Sequence, residues 1–335
     1  MINRVAKRTK SVATGQSTFD TCVIVCNPAS TQAAQAHERI QQLQKQFPEK
    51  AVTLIYTSPD GHEANKLLLR AQADKLHEHT LLAIAGGDGT VSFVINTLLG
   101  DEHFTMEMRR ATILPLWGGN GNDLACMLNG APPRQSFAPL LRSGKRVAIY
   151  PLRCETITNN ETSTRMAVCY ASFGASALAA RELESLRGVR PFFHAIGAAK
   201  FVHELSMVVR TLLSAPGFIV DDGESTPKTI HDRLFINGSR FAKVSGVPLR
   251  LTDRQFCYIT VEQKRVASMA FHITELIRKH PGRYVVTDGR TITFALREAT
   301  WAQIDGEVMH LDIGTYVRVG EAEQPFYALS TSLTD

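Results

Sequence analysis

The sequence has no run of 18 uncharged apolar residues, so no clear transmembrane helix is expected. No apolar segment follows Met1, and a secretory signal peptide is therefore not expected. The six cysteines include no C-x-x-C pair, and their spacing matches no metal site. Free thiols are typical of the reducing cytosol, which makes a cytoplasmic protein the expectation.

Neither sign of charge dominates the chain, which has 335 residues, 44% hydrophobic residues and a net charge of +5. This balance argues against a disordered chain and against nucleic acid as a partner. The length exceeds one typical core and is enough for two domains. Residues 1–19 contain four basic residues and no acid, so we expect a flexible basic tail there. The alternatives are a basic patch that binds an anionic membrane surface and an organelle-targeting segment.

Strand-like and helix-like segments alternate along residues 20–144. The predicted strands lie at 21–26, 51–57, 81–85 and 113–116. This alternation predicts βαβ units around a parallel, Rossmann-like sheet, and so an α/β domain. Residues 145–325 instead contain short alternating strands separated by turns, which predict an antiparallel, β-rich sandwich domain. The last residues, 326–335, are predicted to form a tail that could return to the first domain.

A Gly-Gly-Asp-Gly-Thr sequence follows the third predicted strand and consists of Gly86, Gly87, Asp88, Gly89 and Thr90. It lacks the spacing of the dinucleotide-binding fingerprint, and no P-loop lysine follows it. Its glycines would let backbone N–H groups approach phosphate oxygens, and the helix that follows adds the positive end of its dipole. The aspartate would repel phosphate unless a cation such as Mg²⁺ lay between them. A purely structural turn is the alternative.

A second glycine-rich loop, at 118–123, follows the fourth predicted strand and leads into a helix. Ligands of parallel sheets bind beyond the carboxyl ends of the strands, so we expect this loop, the first loop and residues 27–31 to converge on one crevice. Asn122 and Asp123 could instead cap the following helix, which is the commoner use of such residues.

Four motifs, in this order along the chain, resemble the diacylglycerol kinase catalytic-domain superfamily of bacterial lipid kinases and sphingosine kinases. They are Asn27-Pro28, the first glycine loop, Gly119-Asn120-Gly121-Asn122-Asp123 and Asp305-Gly306-Glu307. The resemblance covers about residues 20–325. It implies an N-terminal α/β domain like that of NAD kinases and phosphofructokinases, a C-terminal β-rich domain for the lipid substrate, and a cleft between the two.

The resemblance also implies an ATP- and Mg²⁺-dependent kinase that moves the γ-phosphoryl group to a hydroxyl of diacylglycerol or a related lipid. Such an enzyme would act peripherally at a membrane surface, and it could form a homodimer. The implied catalytic residues are Asp88 and Glu307, with Glu307 as general base, and the implied metal ligands are Asp88 and Asp253. Asp88 could instead orient the acceptor hydroxyl. The implied nucleotide-binding residues are Asn27, Ser30, Thr31, Gly86, Gly87, Gly89, Thr90, Gly119, Asn120, Asn122, Asp123 and Asp305.

Four positions depart from the family pattern, and the first is Thr31, which follows Ser30 where a glycine is often found. Trp117 stands in place of a proline, Asn120 in place of a threonine, and Arg254 in place of the glycine that usually follows Asp253. The last change leaves the shape of that loop open. The alternatives are a soluble-nucleotide kinase of the NAD kinase type and a catalytically weak homologue that binds nucleotide or lipid. The Asp305-Gly306-Glu307 sequence is also a common hairpin turn.

Overall fold

A computed structural model gives the fold of most of the chain. The residues it describes are 19–30, 33–58, 61–119, 122–130, 137–187, 197–223, 226–241, 244–245, 247, 249–262, 285–287 and 290–333. Residues 1–18 of the predicted basic tail, together with Thr31 and Asn120, lie outside them. Across this described part of the chain, no helix is long and apolar enough to cross a membrane.

Six strands form the first sheet. They are β1 (Thr21–Cys26), β2 (Val52–Tyr56), β3 (Thr80–Ala85), β4 (Thr112–Pro115), β5 (Lys145–Ile149) and β19 (Phe326–Ser330). Their order is β2-β1-β3-β4-β19-β5, and all neighbours run parallel except β19 and β5. The helices between them are α1 (Ala33–Gln44), α2 (His62–Arg70), α3 (Asp88–Gly100), α4 (Asp123–Asn129) and α5 (Ala138–Ser143).

Both faces of this sheet are buried, which explains the continuous apolar runs in its central strands. Along β1, Cys22 and Ile24 face the layer that contains α1, whereas Val23 and Val25 face the layer that contains α3. Successive side chains of a strand point to opposite faces, so one short strand contributes to two cores. All six cysteines are free thiols.

The second sheet is antiparallel throughout. Its strands are β6 (Leu152–Thr158), β7 (Glu161–Ala167), β8 (Tyr170–Gly174), β9 (Phe218–Asp221), β10 (Lys228–Ile236), β13 (Phe256–Glu262), β14 (Val285–Thr287), β15 (Ile292–Leu296), β16 (Thr300–Ile304), β17 (Glu307–Leu311) and β18 (Tyr316–Glu321). A separate pair consists of β11 (Arg240–Phe241) and β12 (Val244–Ser245), and the helices are α6 (Ala175–Arg187) and α7 (Gly197–Ser214). The predicted fold class, an α/β domain followed by an antiparallel β-rich domain, is confirmed.

The C-terminal segment returns to the first domain, where β19 lies between β4 and β5. Asn129, at the end of α4, fixes this return through its side-chain amide. Its Nδ2 donates to the carbonyl of Leu329 over 3.1 Å, and its Oδ1 accepts from the N–H of Thr331 over 3.0 Å. With β5 included, the first sheet extends five residues past the predicted boundary at residue 144.

One apolar cluster spans the junction between the two domains. Val168, Cys169 and Leu251 of the β-rich domain are buried in the same cluster as Val91 and Val94 of α3. Burial of apolar surface across this junction contributes to stability in the same way as burial within each domain. The helix that follows the first glycine loop therefore also packs against the second domain.

Candidate functional site

The two glycine-rich loops pack backbone against backbone beyond the carboxyl ends of β3 and β4. The N–H of Gly118 donates to the carbonyl of Gly86 over 3.0 Å. A Cβ atom at Gly119 would lie 2.2 Å from the Cα of Gly87, and one at Gly118 would lie 2.7 Å from the nitrogen of Gly86. Only glycine permits so close an approach. These four glycines therefore hold the loops together, which is a role that the sequence pattern did not suggest.

Gly89 has different surroundings, because a Cβ atom there would meet nothing within 4 Å. It lines an open cleft of about 560 Å³ together with Thr90 and Asn27. The Nδ2 of Asn27 donates to the Oγ1 of Thr90 over 3.0 Å, which joins the end of β1 to the start of α3. The cleft also includes the start of α2 and, from the other domain, Glu307.

Asp88 is the first residue of α3, and its Oδ2 accepts the backbone N–H of Asp123 over 3.1 Å. Asp88 thereby satisfies a free amide at the start of α4 from the other loop. Burial raises the pKa of Asp88 to about 7, because desolvation outweighs the hydrogen bond from Asp123. The nearby carboxylates of Asp123 and Asp305 raise it further. Asp88 therefore changes its charge near neutral pH.

Asn122 and Asp123 shape the second loop. Asn122 has a left-handed backbone (φ 57°), and its side-chain amide both accepts from the N–H of Gly119 over 3.0 Å and donates to the Gly119 carbonyl over 2.6 Å. Asp123 is buried, and its Oδ1 accepts from the Nε of Arg240 in the β-rich domain over 3.2 Å. The side chain that caps α4 is thus Asp88, rather than Asn122 or Asp123 itself.

The two acids at the turn between β16 and β17, Asp305 and Glu307, have different surroundings. Asp305 is buried, with a left-handed backbone (φ 46°), and its carboxylate accepts backbone N–H groups of Val168, Cys169 and Tyr170. Burial raises its pKa to about 6, and those hydrogen bonds oppose the rise. The contacts of Asp305 tie the turn to the connection between β7 and β8, and its predicted role towards nucleotide stays a prediction.

Glu307 faces the cleft and is held from both domains. Its Oε2 lies 2.6 Å from the Nη1 of Arg165 on β7, and its Oε1 lies 3.4 Å from the Nε2 of His62 at the start of α2. Glu307 therefore lines the same cleft as Gly89 and Thr90. The chain separations are so large, 142 residues between Arg165 and Glu307, that no local motif could have indicated these partners.

Two other predicted residues lie in turns. The Oγ of Ser30, in the turn after β1, is buried and has no hydrogen-bond partner among the described residues. Asp253 is exposed, and its Oδ2 accepts the N–H of Arg250 over 2.9 Å, so its metal role stays a prediction. Arg254 adopts a left-handed backbone (φ 52°), which preserves the conformation that a glycine would favour there.

The described residues contain no group of three or more His, Cys, Asp or Glu side chains arranged to hold a metal ion. Magnesium in phosphoryl-transfer sites needs only one or two carboxylates, because substrate phosphates and water complete its ligands. Asp88, a carboxylate beside the glycine loop, satisfies that requirement. The residues present therefore fit a magnesium ion that arrives with a nucleotide.

Comparisons with known proteins agree with this architecture. Residues 21–150 match the family model of the diacylglycerol kinase catalytic domain. No curated protein matches the chain. The crystal structure of a diacylglycerol kinase from Bacillus anthracis str. Sterne is 14% identical, with a TM-score of 0.61, over 94% of this chain and 98% of that chain. Yeast NADH kinase complexed with NADH is 11% identical, with a TM-score of 0.50, over 94% of this chain and 84% of that chain. These structural likenesses show the fold, and the family match confirms the resemblance that the motifs predicted.

Proposed function

Because residues 21–150 match the family model of the diacylglycerol kinase catalytic domain, we propose that the protein is an ATP- and magnesium-dependent lipid kinase. It transfers the γ-phosphoryl group of ATP to a hydroxyl of diacylglycerol or a related lipid at a membrane surface. The observation that carries the proposal is the shared cleft, which is lined by Glu307 of the β-rich domain and by Gly89 and Thr90 of the glycine loop. A phosphate donor and a hydroxyl acceptor both need contact with such a cleft.

The glycine loop fits a nucleotide phosphate for three reasons. Space is open beside Gly89, the start of α3 adds a positive dipole end, and Asn27 and Thr90 supply polar side-chain groups. The unpartnered Oγ of Ser30 offers another hydrogen bond at the same edge of the sheet. A bound magnesium ion would neutralise phosphate charge beside Asp88. Phosphoryl transfer depends on this kind of positioning and neutralisation more than on covalent help from the protein.

In this proposal the acceptor hydroxyl binds next to Glu307. In the transfer, the acceptor oxygen forms a bond to the γ-phosphorus while the bond from that phosphorus to the bridging oxygen of ADP breaks. The hydroxyl proton passes to Glu307, which acts as general base. Arg165 holds one carboxylate oxygen of Glu307 over 2.6 Å, so the carboxylate is oriented before the acceptor arrives.

A phosphotransfer assay with a panel of acceptors tests the proposal. The protein is incubated with labelled ATP, Mg²⁺ and, in separate reactions, diacylglycerol, sphingosine, ceramide, phosphatidylglycerol or NAD. Label in an organic-extractable product is the expected result. Label in NADP would instead indicate a soluble-nucleotide kinase, and nucleotide binding without transfer to any acceptor would indicate a binding homologue. Either outcome would overturn the proposed function.

A further inference from the structure

A side chain outside all the predicted motifs joins the two domains. Asn96 lies on α3, eight residues after Asp88. Its Oδ1 accepts the backbone N–H of Met166 over 2.6 Å, and its Nδ2 donates to the Met166 carbonyl over 2.8 Å. One amide side chain thus pairs with both backbone polar groups of a single residue in the other domain.

Met166 lies on β7, which is the last strand of the second sheet. On one side β7 pairs with β6, and among the described residues no strand pairs with its other side. Met166 is half-buried, and backbone groups that are shielded from water cost free energy unless something pairs with them. Asn96 supplies that pairing from the α/β domain, in the place where a neighbouring strand would otherwise lie.

The strand that Asn96 contacts, β7, also contacts Glu307. Arg165, the residue before Met166, lies 2.6 Å from the Glu307 carboxylate. Just beyond the end of β7, the N–H groups at 168–170 are held by Asp305, which is two residues before Glu307. The end of β7 is therefore connected to Glu307 by one side-chain contact and by one turn.

We propose that Asn96 is a positioning residue for phosphoryl transfer, which sets Glu307 at a fixed place relative to Asp88. An α-helix rises about 1.5 Å per residue, so α3 holds Asp88 and Asn96 about 12 Å apart as a rigid spacer. Asp88 lies at the glycine loop and Asn96 contacts β7, so the helix fixes the distance between the glycine loop and β7. This inference rests on the proposed function.

Asn129 provides a matched control for Asn96. Both are half-buried asparagines on helices of the α/β domain, and both use Oδ1 and Nδ2 to hold backbone groups of a strand segment. Asn129 holds the C-terminal segment within its own domain, however, and does not reach the β-rich domain. Replacing either residue by alanine removes similar hydrogen bonds, while only one replacement affects the junction.

A double-mutant cycle with Glu307 tests the positioning role. Because a displacement of about 1 Å can cost about 100-fold in rate, we expect Asn96→Ala to lower kcat by at least about 10-fold. Directly measured ATP affinity should stay unchanged, because the glycine loop is intact. In a Glu307→Gln background Asn96→Ala should cause little further loss, since the group that it positions is already inactive. Asn129→Ala should leave kcat unchanged even where it lowers the melting temperature. Equal kcat losses from Asn96→Ala in both backgrounds, or no loss in the wild type, would overturn the proposal.

Amide hydrogen exchange tests the same contact without any assay of activity. Asn96→Ala should speed exchange at 166–170, whereas Asn129→Ala should leave those amides protected. Unchanged exchange in Asn96→Ala would overturn the proposal even if the enzyme were active. If no acceptor received phosphate from the wild-type protein, the proposed function would fail instead, and the exchange result would still report on the domain contact.

Discussion

The carboxylate of Asp88 accepts a hydrogen bond from the backbone nitrogen of Asp123, 3.1 Å away, and so connects the first residue of α3 with the first residue of α4. This bond and the glycine contacts unite the two loops into one rigid unit. From the second domain, Glu307 lines the cleft beside Gly89 and Thr90 of the first loop. Each of these features makes a separate prediction.

The first prediction concerns the charge of Asp88. Its pKa is raised to about 7 by burial, with Asp123 and Asp305 as neighbouring acids, and the ionised form is the one that can bind a cation or orient a hydroxyl. Activity that needs this form is low below that pKa and high above it. We therefore expect kcat/KM to rise about 10-fold from about pH 6 to about pH 8 and then to level off.

Asp88→Asn supplies the control for this pH profile. Its side-chain oxygen can still accept the N–H of Asp123, so the fold should persist and the melting temperature should not fall. Transfer should decrease by about 100- to 1,000-fold, and the remaining activity should lose the rise near neutral pH. A variant that kept the wild-type rate and profile would show that Asp88 takes no part in the reaction.

The second prediction separates the two kinds of glycine. Gly119→Ala would place a methyl group 2.2 Å from the Cα of Gly87, so the loops must move apart at a cost of about 1–3 kcal/mol. Gly89→Ala adds a methyl group in open space on α3, where alanine favours a helix more than glycine does. Chemical denaturation should therefore show a loss of stability only for Gly119→Ala.

ATP binding should distinguish Gly89→Ala from the wild type. A methyl group beside the cleft should weaken ATP binding by about 10-fold, which corresponds to about 1.4 kcal/mol. Gly100→Ala is the matched control, since it lies at the far end of the same helix and its Cβ would also meet nothing within 4 Å. Equal ATP affinities for the wild type, Gly89→Ala and Gly100→Ala would contradict the assignment of the phosphate site.

The third prediction concerns stability and pH. Asp232 is buried on β10, and its Oδ1 accepts the hydroxyl of Ser176 over 2.9 Å at the start of α6. Burial raises its pKa from 3.8 to about 7. The folded state therefore holds the proton more tightly than the unfolded state, and stability falls as pH rises from about 4 through about 7, by up to about 4 kcal/mol.

Urea unfolding of Asp232→Asn at several pH values checks this linkage. The amide cannot ionise, so its free energy of unfolding should decrease less than that of the wild type between about pH 4 and about pH 8. Asp74→Asn, at an exposed position in the first domain, should follow the wild-type curve. Parallel curves for all three proteins would show that Asp232 titrates alike in the folded and unfolded states.

Much of the fold was predictable because local patterns encode it. The apolar runs at 21–26 and 81–85 correspond to β1 (Thr21–Cys26) and β3 (Thr80–Ala85) almost residue for residue. The position of β19 between β4 and β5 was not predictable in this way, because strand pairing across such a separation leaves no local period in the sequence.

The candidate site was also predictable only in part: the sequence motifs identify some of its residues, and the tertiary fold brings in the others. Asp88, Thr90 and Glu307 belong to motifs. The structure places Thr90 and Glu307 on one cleft, and Asp88 two residues before Thr90 at the start of α3. Arg165 and Asn96 belong to none, since each is a single polar residue whose partner is decided by the tertiary fold. The roles of the glycines could not be predicted from the sequence. Glycine is required both where a phosphate approaches the backbone and where a second loop packs against it, so the pattern does not distinguish the two.

We propose that Asp88 and Glu307 serve one reaction, with Glu307 lining the cleft and Asp88 at the start of the helix whose first turn lines it. The most direct measurement compares transfer of labelled phosphate from ATP to diacylglycerol by the wild type, Asp88→Asn, Glu307→Gln and the double variant, with ATP binding measured for each. We expect each single variant to bind ATP and to lose at least about 100-fold in transfer, and the double variant to lose far less than the product of the two. Wild-type transfer by Glu307→Gln, or fully multiplicative losses in the double variant, would contradict the claim.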